Sequence, residues 1–116
     1  MRPEEPDLAY LWDIREVALE VLSFTTGLSL QGFRSERRTR LAVERDLETI
    51  GEAARLISES FKLGHPDFPW HEMIGQRNVL AHAYGTAINL VLIWKVIEED
   101  LPPLIGQIDA IIPRSG

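Results

Sequence analysis

Apolar residues return at Val43, Leu47, Ile50, Ala54, Ile57 and Phe61, in steps that alternate between four and three. Only an α-helix gathers such a series onto one side, because a strand would scatter it over both faces. The spacing predicts a helix from about Ser35 to Phe61 with one seam set against partner helices. Gly51 interrupts it at a cost of about 1 kcal/mol relative to alanine, which a close helix crossing would explain. A chain of 116 residues holding so long a helix must pack other segments along it.

Those segments are legible. Asp7 is a plausible N-cap for a helix running to about Thr26, with Leu8, Leu11, Arg15, Ala18, Leu22 and Thr25 on one stripe. Ile14, Val17, Val21 and Phe24 widen the stripe, and Gly27 and Gly32 bracket a short connection. Gly64, Pro66 and Pro69 end the long helix. Pro69 then fits the first position of a further helix and Gly85 the position just past its last turn. A final helix from about Asn89 buries Leu90, Ile93, Ile97, Leu101, Leu104, Ile108 and Ile111, with Pro102-Pro103 forcing a kink or a break. No run alternates with the period of two that a half-buried strand requires. The expected fold is all-α. A single domain over residues 1–116 forms an antiparallel bundle of four principal helices, the last kinked at proline, behind a loose lead-in at residues 1–6.

Composition narrows the function. The net charge of −6 argues against a protein coated in positive potential for long nucleic acids, although a local phosphate site depends only on where the arginines sit. No apolar run approaches a membrane span, and Met-Arg-Pro-Glu-Glu-Pro lacks the apolar core of a signal peptide. The absence of cysteine removes disulfides and thiolate metal sites, which suits the cytoplasm. His71-Glu72-x-x-Gly75 misses the second histidine of the zinc-protease pattern, so no metal or cofactor is expected.

The third principal helix carries the chemistry. At 100° per residue, Val79, Ala83, Leu80 and Met73 share an apolar face, while Arg77, Asn78, His82 and Tyr84 fall in one adjoining polar sector. Asn78 and His82 stand at i, i+4, and Arg77 and Tyr84 at i, i+7, so each pair can be near neighbours. One sector therefore offers a permanent cation, an amide, an imidazole and a phenol.

Arg77, four residues, His82, one residue, Tyr84 resembles the motif of the HepT-like toxins of the HEPN superfamily, all-helical ribonucleases. The likeness extends to Leu-Trp-Asp-Ile at 11–14, Arg-Asp-Leu-Glu-Thr-Ile-Gly-Glu-Ala at 45–53 and Leu-Pro-Pro-Leu at 101–104. One departure is Asn89, where the family pattern has an acidic residue. The resemblance implies the toxin of a type VII-like toxin–antitoxin system, a homodimer whose facing motif helices form a composite cleft. It implies metal-independent cleavage of RNA, with an MntA-like minimal nucleotidyltransferase as antitoxin. It also implies that Tyr84 is where that partner attaches AMP to silence the toxin.

The residues suit such chemistry. RNA can be cut by its own 2′-hydroxyl attacking the adjacent phosphate, given a base for the hydroxyl proton and an acid for the leaving 5′-oxygen. Imidazole titrates near operating pH, and each placed proton transfer contributes roughly 100- to 10,000-fold. A dimer supplies two copies of His82, one per transfer. Arg77 can brace the charge on the phosphorane, and Asn78 can orient His82 or bind substrate.

Plainer readings stand beside these. Arg77 and His82 could simply favour the helix dipole at a C-terminus. Tyr84 could be a half-buried aromatic. The chain could also be a non-catalytic HEPN module that binds a nucleotide or partners the nucleotidyltransferase through its helices. Arg34, Arg37, Arg38, Arg40 and Arg45 could guide RNA or form a solvated helix start near Glu36 and Glu44. Trp12, Trp70 and Trp94 are expected to pack, with Trp70 the best candidate for base stacking, and His65 to sit in a solvated turn.

Overall fold

A computed structural model describes residues 1–75 and 87–112, the side chains of 87–89 excepted. Its helices in chain order are α1 (Pro6–Thr25), α2 (Leu30–Ser35), α3 (Arg37–Leu56), α4 (Glu59–Gly64), α5 (helical over 70–75), α6 (Ala87–Lys95) and α7 (Leu101–Ile111). A five-residue π-helical turn, Val96–Asp100, joins α6 to α7. There is no strand among the described residues. The all-α expectation holds. Of the expected motif helix, the described part is α5, which begins at Trp70, one residue after the expected start.

The α1–α3 pair is the widest helix contact, and it runs antiparallel. At one end the Asp7 carboxylate accepts from the Ser58 backbone N–H (2.8 Å) and hydroxyl (2.6 Å). Midway along α3, the Asp46 carboxyl faces Glu20 of α1. Along the seam Leu11, Ile14, Ala18 and Val21 of α1 are buried, as are Val43, Leu47, Ile50 and Ala54 of α3. The 4-3 seam read from the sequence is thus the core-facing edge of α3, and Gly51 is buried on it. α7 packs on α1 as the next layer, and α2 wedges between α3 and α6, with Phe33 fully buried and its ring 5.3 Å from Trp94.

Several boundaries differ from expectation for local reasons. The N-cap of α1 is Glu5, whose side chain accepts from the Leu8 N–H, with Pro6 next; Asp7 is freed for the long-range bond to Ser58. The long helix stops at Leu56, because Ser58 takes extended geometry and caps α4 by accepting from the Phe61 N–H. The Gly27–Gly32 connection contains α2, capped by Ser29, and Gly27 takes the left-handed φ of 80° that ends α1. In the lead-in, Arg2 donates to the Asp13 carboxylate through two 2.9 Å bonds at the surface.

Pro102-Pro103 neither breaks the last helix nor ends it. In the π turn the Leu101 N–H reaches back to the Val96 carbonyl, so the prolines fall at the start of α7, where helix donors are unpaired in any case. The apolar stripe crosses the turn in register, keeping Ile97, Leu101, Leu104 and Ile108 buried.

Arg15, on the apolar stripe of α1, is buried at 3% exposure. Its Nη1 pairs with Asp109 of α7 at 3.0 Å, and its guanidinium lies 4.4 Å from the Trp12 ring centroid. A buried cation losing its partner is costly. We expect Asp109→Ala to lower the unfolding free energy by about 2–3 kcal/mol, less than for a fully enclosed pair because Asp109 sits at the rim. The double variant Arg15→Met/Asp109→Leu should recover most of that loss in urea denaturation. Equal destabilisation by both variants would contradict the assignment.

The Asp46–Glu20 pair sets a pH dependence. Burial raises the Asp46 carboxyl to about 6, and the hydrogen bond and charge of Glu20 push the same way against the opposing pull of Arg45. Asp46 Oδ2 is buried without a hydrogen-bond partner, and a proton held between it and Glu20 would satisfy it. A raised carboxyl pKa means that the folded state holds the proton more tightly. The stability this contributes is complete below the ordinary carboxylate range and is lost as pH rises through about 6. Asp46→Asn mimics the protonated form. It should gain on the order of 1 kcal/mol over wild type at neutral pH, a value reduced for the partial exposure of the site. The gain should vanish in acid, and denaturation curves at several pH values read it directly.

Candidate functional site

Arg77, Asn78, His82 and Tyr84 all lie outside the described residues. The structure describes the frame from which that stretch departs and to which it returns. On the entry side, residues 61–70 form an aromatic knot. Phe61 and His65 stack at 4.1 Å, Phe68 and Trp70 at 5.0 Å, and the two stacks meet edge to face. Trp70 Nε1 donates to the His65 carbonyl at 2.9 Å, and His65 Nδ1 donates to the Phe61 carbonyl at 3.0 Å. Gln107 of α7 binds the Asp67 carbonyl at 2.9 Å, which fastens the knot to the core.

His65 is therefore a half-buried member of a stack, in place of the solvated turn residue expected. Its spacing from Phe61 (i, i+4) was the available signal. Trp70 spends its ring and its N–H on packing, as Trp12 does against Arg15 and Trp94 against Phe33. On the exit side, α6 begins at Ala87 and buries Leu90 and Ile93.

A cavity of about 330 Å³ opens beside α5, floored by Ile50, Met73, Leu101 and Leu104. Asp67, Glu72, Glu99 and Asp100 stand on its walls. Burial raises Asp100 above the ordinary carboxylate range; Lys95 opposes the shift, while Glu99 and Glu72 reinforce it. The charged side chains among the described walls are all acidic, which disfavours phosphate there. Among the described residues no group of three or more histidines, cysteines or carboxylates is arranged to hold a metal ion. No helix among them is long and apolar enough to cross a membrane.

The structure also shows what composition concealed. Arg34, Arg37, Arg38 and Arg45 are all exposed, and none makes an ion pair among the described residues. Arg2, Arg15 and Arg55, by contrast, are each paired with a carboxylate. Glu44, on the same helix, is buried at 5% exposure, a carboxylate the apolar spacing gave no reason to place inside.

An all-helical frame around an Arg-x4-His-x-Tyr stretch defines a class, and comparison with known proteins agrees. The profile of the family described as "Ribonuclease HepT-like" matches residues 14–111. A Methanocaldococcus jannaschii protein named "Putative RNase MJ1380" is 40% identical over 103 residues, covering 89% of this chain and 94% of its own. The "Probable ribonuclease HepT" of Thermococcus cleftensis is 39% identical over 100 residues, covering 86% and 90%. A Caldanaerobacter subterraneus protein named "Putative RNase TTE0752" is 30% identical over 114 residues, covering 98% of each chain. No solved structure matches significantly. The chain belongs to the HepT-like ribonuclease family and is an RNA-cleaving enzyme of the HEPN type.

Proposed function

We propose that the chain is the toxin of a two-component toxin–antitoxin system, a metal-independent endoribonuclease that works as a homodimer in the cytoplasm. The observation that carries the reading is the family match over residues 14–111, which spans the complete Arg77-x4-His82-x-Tyr84 sequence. In the proposed reaction, one His82 accepts the proton of the RNA 2′-hydroxyl as its oxygen attacks the neighbouring phosphorus. The P–O5′ bond breaks, and His82 of the partner subunit gives its proton to the leaving oxygen. Arg77 offsets the charge gathered on the phosphorane oxygens. Asn78, one helical turn from His82, orients the imidazole or holds the substrate. The products are a 2′,3′-cyclic phosphate and a 5′-hydroxyl.

Tyr84 is the proposed switch. A cognate MntA-like nucleotidyltransferase would direct the Tyr84 oxygen onto the α-phosphate of ATP. Pyrophosphate leaves and the phenol proton passes to solvent. The resulting phosphodiester and adenine would compete with substrate for Arg77 and fill the cleft.

Wild type should cut RNA in EDTA and leave cyclic-phosphate ends, whereas folded His82→Ala should lose at least about 100-fold in rate. Silence from unmodified wild type would contradict the reading. Co-expressed with its nucleotidyltransferase, wild type should gain the mass of one adenylyl group and Tyr84→Phe should not. Equal modification of the two would remove Tyr84 from the account.

A further inference from the structure

Five of the chain's 12 basic side chains fall between residues 34 and 45, in a protein of net charge −6. Arg34 ends α2, and Arg37 and Arg38 open α3, whose first turn holds no acidic residue. The N-terminus of a helix dipole is positive, so cations there are unfavourable for the helix itself. At 100° per residue Arg37, Leu41, Arg45 and Arg38 share an arc of about 100° on α3, over about 12 Å of its length. All four are exposed. Arg40, beside this arc, is half-buried, and its Nε is shielded from solvent without a hydrogen-bond partner.

The helix dipole thus disfavours Arg37 and Arg38, and none of Arg34, Arg37, Arg38 and Arg45 forms an ion pair with a carboxylate among the described residues, although Arg45 lends charge to Asp46. An external polyanion would supply what the fold withholds. The guanidinium fork matches phosphate, and exposed Leu41 adds apolar surface among the cations. The position suits a substrate contact. α2 packs on α6, the helix that begins three residues after Tyr84, and Phe33 beside Arg34 meets Trp94 of α6.

We infer that Arg34, Arg37, Arg38 and Arg45 form a docking surface for the phosphate backbone of single-stranded RNA, outside the Arg77–His82 motif. The inference rests on the ribonuclease reading for its choice of polyanion, but binding can be read without cleavage. The surface grips backbone charge, so it carries no preference for base sequence.

The test uses His82→Ala protein, so that RNA stays intact, and a short labelled single-stranded RNA of mixed sequence titrated over a series of salt concentrations. Each phosphate contact contributes roughly 0.7 to the slope of log affinity against log salt. Adding Arg37→Gln and Arg38→Gln should weaken binding and make that slope shallower by about 1.4. The matched pair Arg2→Gln/Arg55→Gln makes the same change in net charge at arginines already paired elsewhere, and should leave the slope as it was. Circular dichroism checks that both pairs fold alike. Equal slopes for the two pairs would overturn the surface and leave these arginines to an acidic protein partner. No RNA binding by the His82→Ala protein would overturn it as well. Arginine-dependent binding by a wild type that fails to cleave would sustain the surface while the proposed chemistry falls.

Discussion

The seam between α1 and α3 is held by carboxylates at one end and midway along it, and the rest of the fold is positioned from it. Asp7 holds Ser58, and Ser58 in turn starts α4 just past the end of the long third helix. The chain is thereby delivered into the aromatic knot at 61–70 and then into α5. Glu20 and Asp46 meet midway along the seam, next to Arg45. Across α1, Arg15 reaches Asp109 and fixes the C-terminal rod against the same pair. Asp7–Ser58 and Arg15–Asp109 join residues 51 and 94 positions apart, so both are won only when the tertiary structure forms.

That distance in sequence explains what could be read beforehand and what could not. The core-facing residues of α1, α3 and the last rod follow from helical periodicity, down to the placement of Arg15 among apolar neighbours. The stop at Leu56 rests on Ser58, a local cap that Asp7 holds from afar, while the apolar spacing runs on undisturbed to Phe61. The prolines announced an interruption of the last helix without its form. Their missing donors demand a local solution, but the sequence does not say whether that is a kink, a break or a π turn. His65 looked solvated beside Pro66, although its partner Phe61 lies one helical turn earlier.

For the site, the sequence offers candidate residues, and their environment lies outside the described residues. Arg77, Asn78, His82 and Tyr84 announce themselves by spacing and by family likeness, and the family match upholds the ribonuclease class. The arginines of α2 and α3 were visible as a cluster. Only the structure distinguishes them from Arg2, Arg15 and Arg55, whose charges are already answered by carboxylates. The acidic cavity beside α5 sharpens the contrast, because it meets α3 only at Ile50, beyond the arginine-bearing half. Among the described residues, the exposed arginines of α2 and early α3 and the carboxylate-walled cavity thus lie apart. A polyanion drawn to this protein would be guided by that separation, since its net charge alone would repel one.

The central claim is that each RNA cut draws on two subunits, one imidazole to accept a proton and the other to donate one. Mixed dimers test it most directly. Wild-type and His82→Ala chains are unfolded together at set ratios and refolded, and initial cleavage rates in EDTA are measured against the wild-type fraction. If both copies of His82 are needed, activity follows the square of that fraction, so an equal mixture retains about one quarter of the wild-type rate. A linear dependence, with about one half remaining, would show that each subunit cuts alone and contradict the composite cleft.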